Sequence, residues 1–223
     1  NLYHLMTMTS GLDCDDNNDN STGTEDKMQS QKIERDWYKF TLDLPMVANP
    51  GEIGAYGTAA VNLLGGVLLQ ATNLTTYEFA DKYLFKPLGI TEYYFNLTPE
   101  DNGYLGGGIR LRPRDMGKIG LLYLSGGLWN SKRIISEQWI TKSIVKHTEV
   151  GGNFYGYNWW HFQCEHNQIK YDSYYAGGNG GQYIIVTPKL NLVTVLTGGN
   201  YNRWPVWSKF IQFLPNYIIP SVS

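Results

Sequence analysis

Cysteine is scarce, histidine nearly so, and charge of either sign is thin: 2 Cys, 4 His and 17% charged residues in 223. Neither Cys14 nor Cys164 lies in a CxxC or His-rich context, so the spacing argues against a metal site. A disulfide between the two and a pair of free thiols are both open. His161 and His166 lack the glutamate motif of a zinc helix, and no G-x-S-x-G elbow is present. A formal net charge of -2 supplies no basic face for nucleic acid or an anionic membrane. The longest apolar runs, such as Val61 to Leu69, fall far short of the roughly 20 residues needed to cross a bilayer. There is no initiator Met and no signal-peptide pattern before Asn1-Leu2-Tyr3, from which the chain is expected to be a piece of a longer protein.

What is present suits a packed domain or two interleaved lobes: 42% of residues are hydrophobic, with 17 Tyr and 7 Trp to fill a core or line a cleft. Residues 13–36 are almost free of apolar side chains and rich in Asp, Asn, Ser and Gly, which predicts a long surface loop. Its acidic cluster lacks the D-x-D-x-D-G register and the twelfth-position glutamate of a calcium loop, so a solvated loop is expected rather than a cation site. Gly57–Ala71 reads as a buried helix that Thr58 could cap. A second helix follows Asn73, capped by Thr75 or Thr76 with Glu78 in its first turn, and runs to Phe85. Pro113 opens a third, to Leu124, and Ser136 with Glu137 a fourth, to about His147.

Beyond Gly151-Gly152 the pattern changes to strands. Residues 154–163, 168–175, 182–187 and 192–197 are β-branched or aromatic runs separated by hairpin-like turns, which predicts an antiparallel sheet. A terminal helix over 206–214 should lay Val206, Phe210, Phe213 and Leu214 on that sheet. The fold class is therefore α+β. The expected division is a mainly helical lobe over 1–147 and an antiparallel sheet plus C-terminal helix over 148–223.

Four strings carry a chemical meaning together. They are His4 to Leu12 (HLMTMTSGL); Pro50-Gly51 with Tyr56-Gly57-Thr58 and Asn62-Leu63-Leu64-Gly65; Gly107-Gly108-Ile109-Arg110 with Pro113-Arg114-Asp115-Met116; and Gly178-Asn179-Gly180-Gly181-Gln182 with Pro188 and Leu192-Val193. In this order they resemble the "HLLTHTSGL", "PG…Y-S-N…LLG", "GGL…T-x-R-D-M" and K-T-G or H-x-G segments of the β-lactamase-related serine hydrolases, the family of class C β-lactamases and penicillin-binding-protein-like esterases.

The resemblance implies a β-lactamase/transpeptidase-like fold whose N-terminal strands are missing here. It also implies acyl transfer without metal or organic cofactor: a serine in S-x-x-K attacks an ester, amide or β-lactam-like carbonyl while a lysine and a tyrosine exchange the proton. By resemblance Tyr56 is the proton-transfer residue, the backbone N–H of Gln182 an oxyanion donor, and Thr58, Asn179, Gly180 and Gly181 substrate contacts. A phenol with a pKa near about 10 cannot act as a base at neutral pH without a neighbouring cation. Thr58 replaces the family's Asn and Asn179 its cation, departures that lean away from a penicillin carboxylate and toward an ester, amide or peptide.

The nucleophile is expected upstream of His4, in a missing N-terminal part that would be the chain's partner, so the 223-residue chain alone is expected to be inactive. Ser143-Ile144-Val145-Lys146 is an S-x-x-K string, but near the end of a predicted helix, and reads as coincidence. Arg114 and Asp115 read as helix-start and ion-pair structure. Trp159, Trp160 and Tyr157 suit core packing better than a cleft. The family implies a periplasmic or extracytoplasmic location. The rival expectation is a catalytically inactive relative that serves as a peptidoglycan- or ligand-binding module.

Overall fold

The computed structural model describes residues 1–30 and 34–222. It divides into two compact units that interleave along the chain: Asn1–Arg110 with His147–Tyr157, and Leu111–Lys146 with the chain from Asn158 onward. The division expected from sequence cuts once, at 147. The chain instead changes unit at three places, because the helix opened by Pro113 packs on strands 182–187 and 192–196.

In the first unit α1 (Leu2–Met6) precedes the polar stretch. That stretch is not all loop: Glu25–Ser30 forms α2, and Met28 within it is fully buried. Composition hid this helix because one apolar side chain anchors it and its N-terminus is capped from elsewhere, by the Asp16 carboxylate 2.6 Å from the Glu25 amide. Residues 31–33 of the same stretch lie outside the described residues. Some of its polar groups bond to one another. Asp13 Oδ2 accepts from the Thr22 amide (2.9 Å) and hydroxyl (2.7 Å), and the Lys27 ammonium donates to the carbonyls of Asp19 (2.8 Å) and Ser21 (2.5 Å).

Asp36 caps α3 (Trp37–Leu42) through the amides of Tyr38 and Lys39. The long helix α4 (Thr58–Thr72) begins one residue later than expected: Gly57 is its cap and has no side chain to offer. Its first half is buried through Thr58, Ala59, Ala60, Asn62, Leu63 and Gly65, whereas Val67, further along, is exposed. Ala59 and Ala60 join Cys14, Met28 and Tyr104 in a core against which the half-buried Trp37 and Phe40 pack. Of the two caps open for α5 (Thr76–Ala80), Thr75 is the one used, exchanging both bonds of a capping box with Glu78, and a single wider turn carries the chain on to Phe85. A hairpin of β1 (Thr148–Val150) and β2 (Asn153–Tyr155) belongs to this unit.

In the second unit α6 (Pro113–Leu124) and α7 (Glu137–Ser143) precede β3 (Trp160–His166), β4 (Ile169–Gly178), β5 (Gln182–Thr187) and β6 (Leu192–Leu196). Each strand pairs antiparallel with the next. The run expected over 154–163 is broken between Tyr155 and Trp160, where Asn158 takes φ 58° and interrupts the extended backbone. Helix α7 stops at Ser143, short of the expected His147. Alternation along β5 sends Tyr183 and Ile185 to one face and Ile184 and Val186 to the other. Ile184 meets α6 so closely that a Cβ on Gly120 would lie 3.0 Å from its methyl group. Tyr183 and Ile185 pack with Tyr171, Ile211, Leu214 and Ile219. The terminal segment is thus a chain of short helical turns from Trp204 to Val222 that presents Ile211, Leu214 and Ile219, with Phe210 at the margin. Val206 and Phe213, expected inside, are exposed because these turns are not one regular helix.

Candidate active site

Tyr56 lies two residues before α4, in a turn that the polar stretch holds from both sides. The Asp16 amide donates to the Tyr56 carbonyl (2.8 Å), and the Thr58 amide donates to Asp16 Oδ2 (2.8 Å). Gly57 is required between them: a Cβ there would stand 2.6 Å from Cys14 Sγ and 2.8 Å from the Cys14 carbonyl oxygen. The half-buried phenol ring meets Tyr155 edge-on, with centroids 6.4 Å apart. Burial pushes its pKa up to about 12, and the charges of Asp16 and Glu25 push in the same direction. Two carboxylates therefore bear on the phenol within this unit.

Both carboxyls are themselves raised above the ordinary range, chiefly by burial. Glu25 Oε1 accepts from the Tyr104 hydroxyl (2.6 Å) and from Gln29 Nε2 (2.9 Å), and the Tyr104 phenol is pushed far up, first by burial and then by that bond. Thr58 is buried at the first turn of α4, and its bonds to Asp16 are those of a helix start. Sequence reasoning missed Asp16, Glu25 and Tyr104. Nothing local marks Asp16 among five aspartates between positions 13 and 26.

Asn179, Gly180 and Gly181 form the turn between β4 and β5, closed by the Gly178–Gln182 pair. Gly180 and Gly181 take φ of 93° and 99°, a region that a side chain would strain. A Cβ on Gly180 would also lie 2.9 Å from the Tyr201 ring, and one on Gly181 2.6 Å from Phe210. The Asn179 side chain exchanges two bonds with Asn202, donating to its Oδ1 (2.8 Å) and accepting from its amide (2.9 Å). The Gln182 side chain donates to the Gly198 carbonyl. Tyr56 and Thr58 thus share one unit, and Asn179 to Gln182 share the other.

Other candidates are occupied structurally. The Ser143 hydroxyl, at the last residue of α7, donates to the Ile140 carbonyl (2.9 Å), and the Lys146 ammonium lies 3.8 Å from Asp172. Asp115 is buried in the first turn of α6 and pairs with Lys118 at 2.7 Å. Trp159 is buried against Tyr174 and Val186. Both cysteines are free thiols, and burial pushes Cys14 up to about 11. Among the described residues no group of three His, Cys, Asp or Glu side chains could hold a metal ion, and no helix is long and apolar enough to cross a membrane.

The two-unit α+β architecture is that of the β-lactamase and penicillin-binding-protein-like hydrolases. A solved structure of a Bacillus anthracis protein described as a 6-aminohexanoate-dimer hydrolase superposes with a TM-score of 0.75 at 19% identity, over 98% of this chain and 61% of that one. A penicillin binding protein from Bacillus halodurans gives 0.68 at 20% identity, over 95% of this chain and 71% of that one. In sequence, the 6-aminohexanoate-dimer hydrolase of Paenarthrobacter ureafaciens is 24% identical over 111 residues, which is 49% of this chain and 28% of the relative. The chain thus spans about three fifths of the Bacillus anthracis protein, and the match takes in little more than a quarter of the Paenarthrobacter enzyme. The model of the Beta-lactamase family matches residues 1–203, and the chain belongs to that family.

Proposed function

We propose that the intact protein is a serine hydrolase that cleaves an ester, amide or β-lactam-like bond through an acyl-enzyme. The observation that carries this reading is Tyr56, the phenol that the family strings single out, standing in a turn tied on both sides at the mouth of α4. In this reading the nucleophilic serine and its lysine come from sequence upstream of His4, since the Ser143 hydroxyl is engaged by its own helix. That lysine is required chemically. A phenol whose pKa stands at about 12 gives up no proton at neutral pH until a cation offsets the neighbouring carboxylates.

The Gln182 backbone N–H serves as oxyanion donor. In this reading Asn179, Gly180 and Gly181 line the substrate, and Asn179 offers it no cation for a carboxylate. The relatives named for hydrolysis of a 6-aminohexanoate dimer favour the amide among the candidate bonds. The protein acts outside the cytoplasm, by family analogy.

A second reading is an inactive relative that binds peptidoglycan or another ligand. A fluorophosphonate probe on the full-length protein separates the two. Under the first reading the label maps to a serine in an S-x-x-K string upstream of His4, and Tyr56→Phe lowers turnover of a chromogenic ester or amide by about a hundredfold or more. Unlabelled protein without turnover favours the binding module, and undiminished turnover in the Tyr56→Phe enzyme removes Tyr56 from the mechanism.

A further inference from the structure

The acidic stretch serves two separate ends. Asp13 and Lys27 close the loop on itself, as described above. Asp16 instead turns inward and uses three groups at once: its amide on the Tyr56 carbonyl (2.8 Å), Oδ2 on the Thr58 amide (2.8 Å), and Oδ1 on the Glu25 amide (2.6 Å). We propose that Asp16 is a positioning residue for Tyr56, fixing the Tyr56-Gly57-Thr58 turn by a bond to each side of it; this rests on the reading that Tyr56 takes part in proton transfer.

Three features support the role. Gly57 caps α4 but has no side chain, so the free amide at the start of this 15-residue helix is met by a carboxylate from 42 positions earlier in the chain. The same carboxylate also caps α2, and a single anion between two helix N-termini is held by both dipoles. Finally, the Cys14 backbone, two residues before Asp16, runs so close to the turn that a Cβ at 57 would stand 2.8 Å from the Cys14 carbonyl oxygen. A proton-transfer group misplaced by about 1 Å can cost about a hundredfold in rate, so such an anchor matters to the chemistry and not only to stability.

Asp16 and Glu25 act on the phenol by charge, and Tyr155 meets it by its ring. Both carboxyls titrate above the ordinary carboxylate range, so the environment of Tyr56 should change as they take up protons.

The test uses the intact protein labelled with Cζ-13C tyrosine, the Tyr56 signal being assigned by its loss in Tyr56→Phe. In the wild type this signal should shift in a step whose midpoint lies above the usual carboxylate range. Asp16→Asn, which keeps the volume but only one acceptor oxygen, should displace the signal and shrink that step. The same variant should lower kcat about tenfold with KM little changed. Asp16→Glu, with the charge restored on a longer arm, should regain the step but not kcat. If Asp16→Asn folds, loses melting temperature and yet leaves the Tyr56 signal, its titration and kcat untouched, Asp16 is a helix cap alone and the proposal is overturned. Should Asp16→Asn not fold, the wild-type step decides: its survival in Glu25→Gln supports Asp16, and its disappearance there assigns it to Glu25 and overturns the proposal. An active Tyr56→Phe enzyme would instead defeat the catalytic reading while leaving the spectroscopic dependence on Asp16 intact.

Discussion

A single methyl group at position 57 would collide with Cys14 Sγ and with the Cys14 carbonyl, neither of which is the mobile end of a long side chain. Gly57→Ala is therefore expected to destabilise the chain by about 1–3 kcal/mol, read as a lower denaturant midpoint at unchanged slope. An unchanged midpoint would mean that the polar stretch yields easily and does not hold the Tyr56 turn. Tyr56 and Thr58 were legible because a local string marks them. Asp16 was not, since its importance comes from two amides 9 and 42 residues away.

Elements were read best where a signal is local. Glu78 stands in the first turn of α5 with Thr75, one of the two expected candidates, as cap, the Ser136 cap forms as its spacing predicts, and the turn at Asn167-Gln168, with both residues at positive φ, joins β3 to β4 as a tight hairpin. The C-terminal segment was read worst. Its apolar residues suit a helical face, but Pro205, Pro215 and Pro220 interrupt the amide ladder, and the short turns that result bury Ile211, Leu214 and Ile219 instead of Val206 and Phe213. Leu214 is fully buried against the β4–β5 face. Leu214→Ala should cost about 3 kcal/mol, whereas Phe213→Ala, at an exposed position, should cost far less. Chemical denaturation of the two variants side by side checks this, and equal losses would place the packing face wrongly.

For the whole molecule, titration sets two opposite pH trends. Asp13, Glu78 and Asp81 are held below the ordinary carboxylate range, each first by a hydrogen bond, so their contribution is present above the unfolded value and fades as pH falls through the folded one. Glu25 is held above it, first by burial, so its folded form binds a proton more readily than the unfolded chain does. Its contribution favours the fold at low pH and is lost as pH rises through the folded value. Glu25→Gln removes that titration while keeping an oxygen for the Tyr104 hydroxyl. The melting temperature of the variant minus that of the wild type should therefore rise as pH climbs through the folded value of Glu25. A flat or falling difference would show that Glu25 is not desolvated in the folded chain.

Sequence by itself determined the family, the α+β class, the succession from the longer helices to the antiparallel strands, and the phenol and glycine turn on which the proposed chemistry rests. These follow from hydrophobic period, caps and ordered strings, which are properties of neighbours along the chain. Only the tertiary structure decided that the units interleave, that α2 exists, that Lys27 donates to carbonyls of the acidic loop, and that Asp16 and Glu25 act on Tyr56. Each of those depends on which distant groups come to share a small buried volume, where one carboxylate must satisfy every amide turned toward it, and neither composition nor spacing records that.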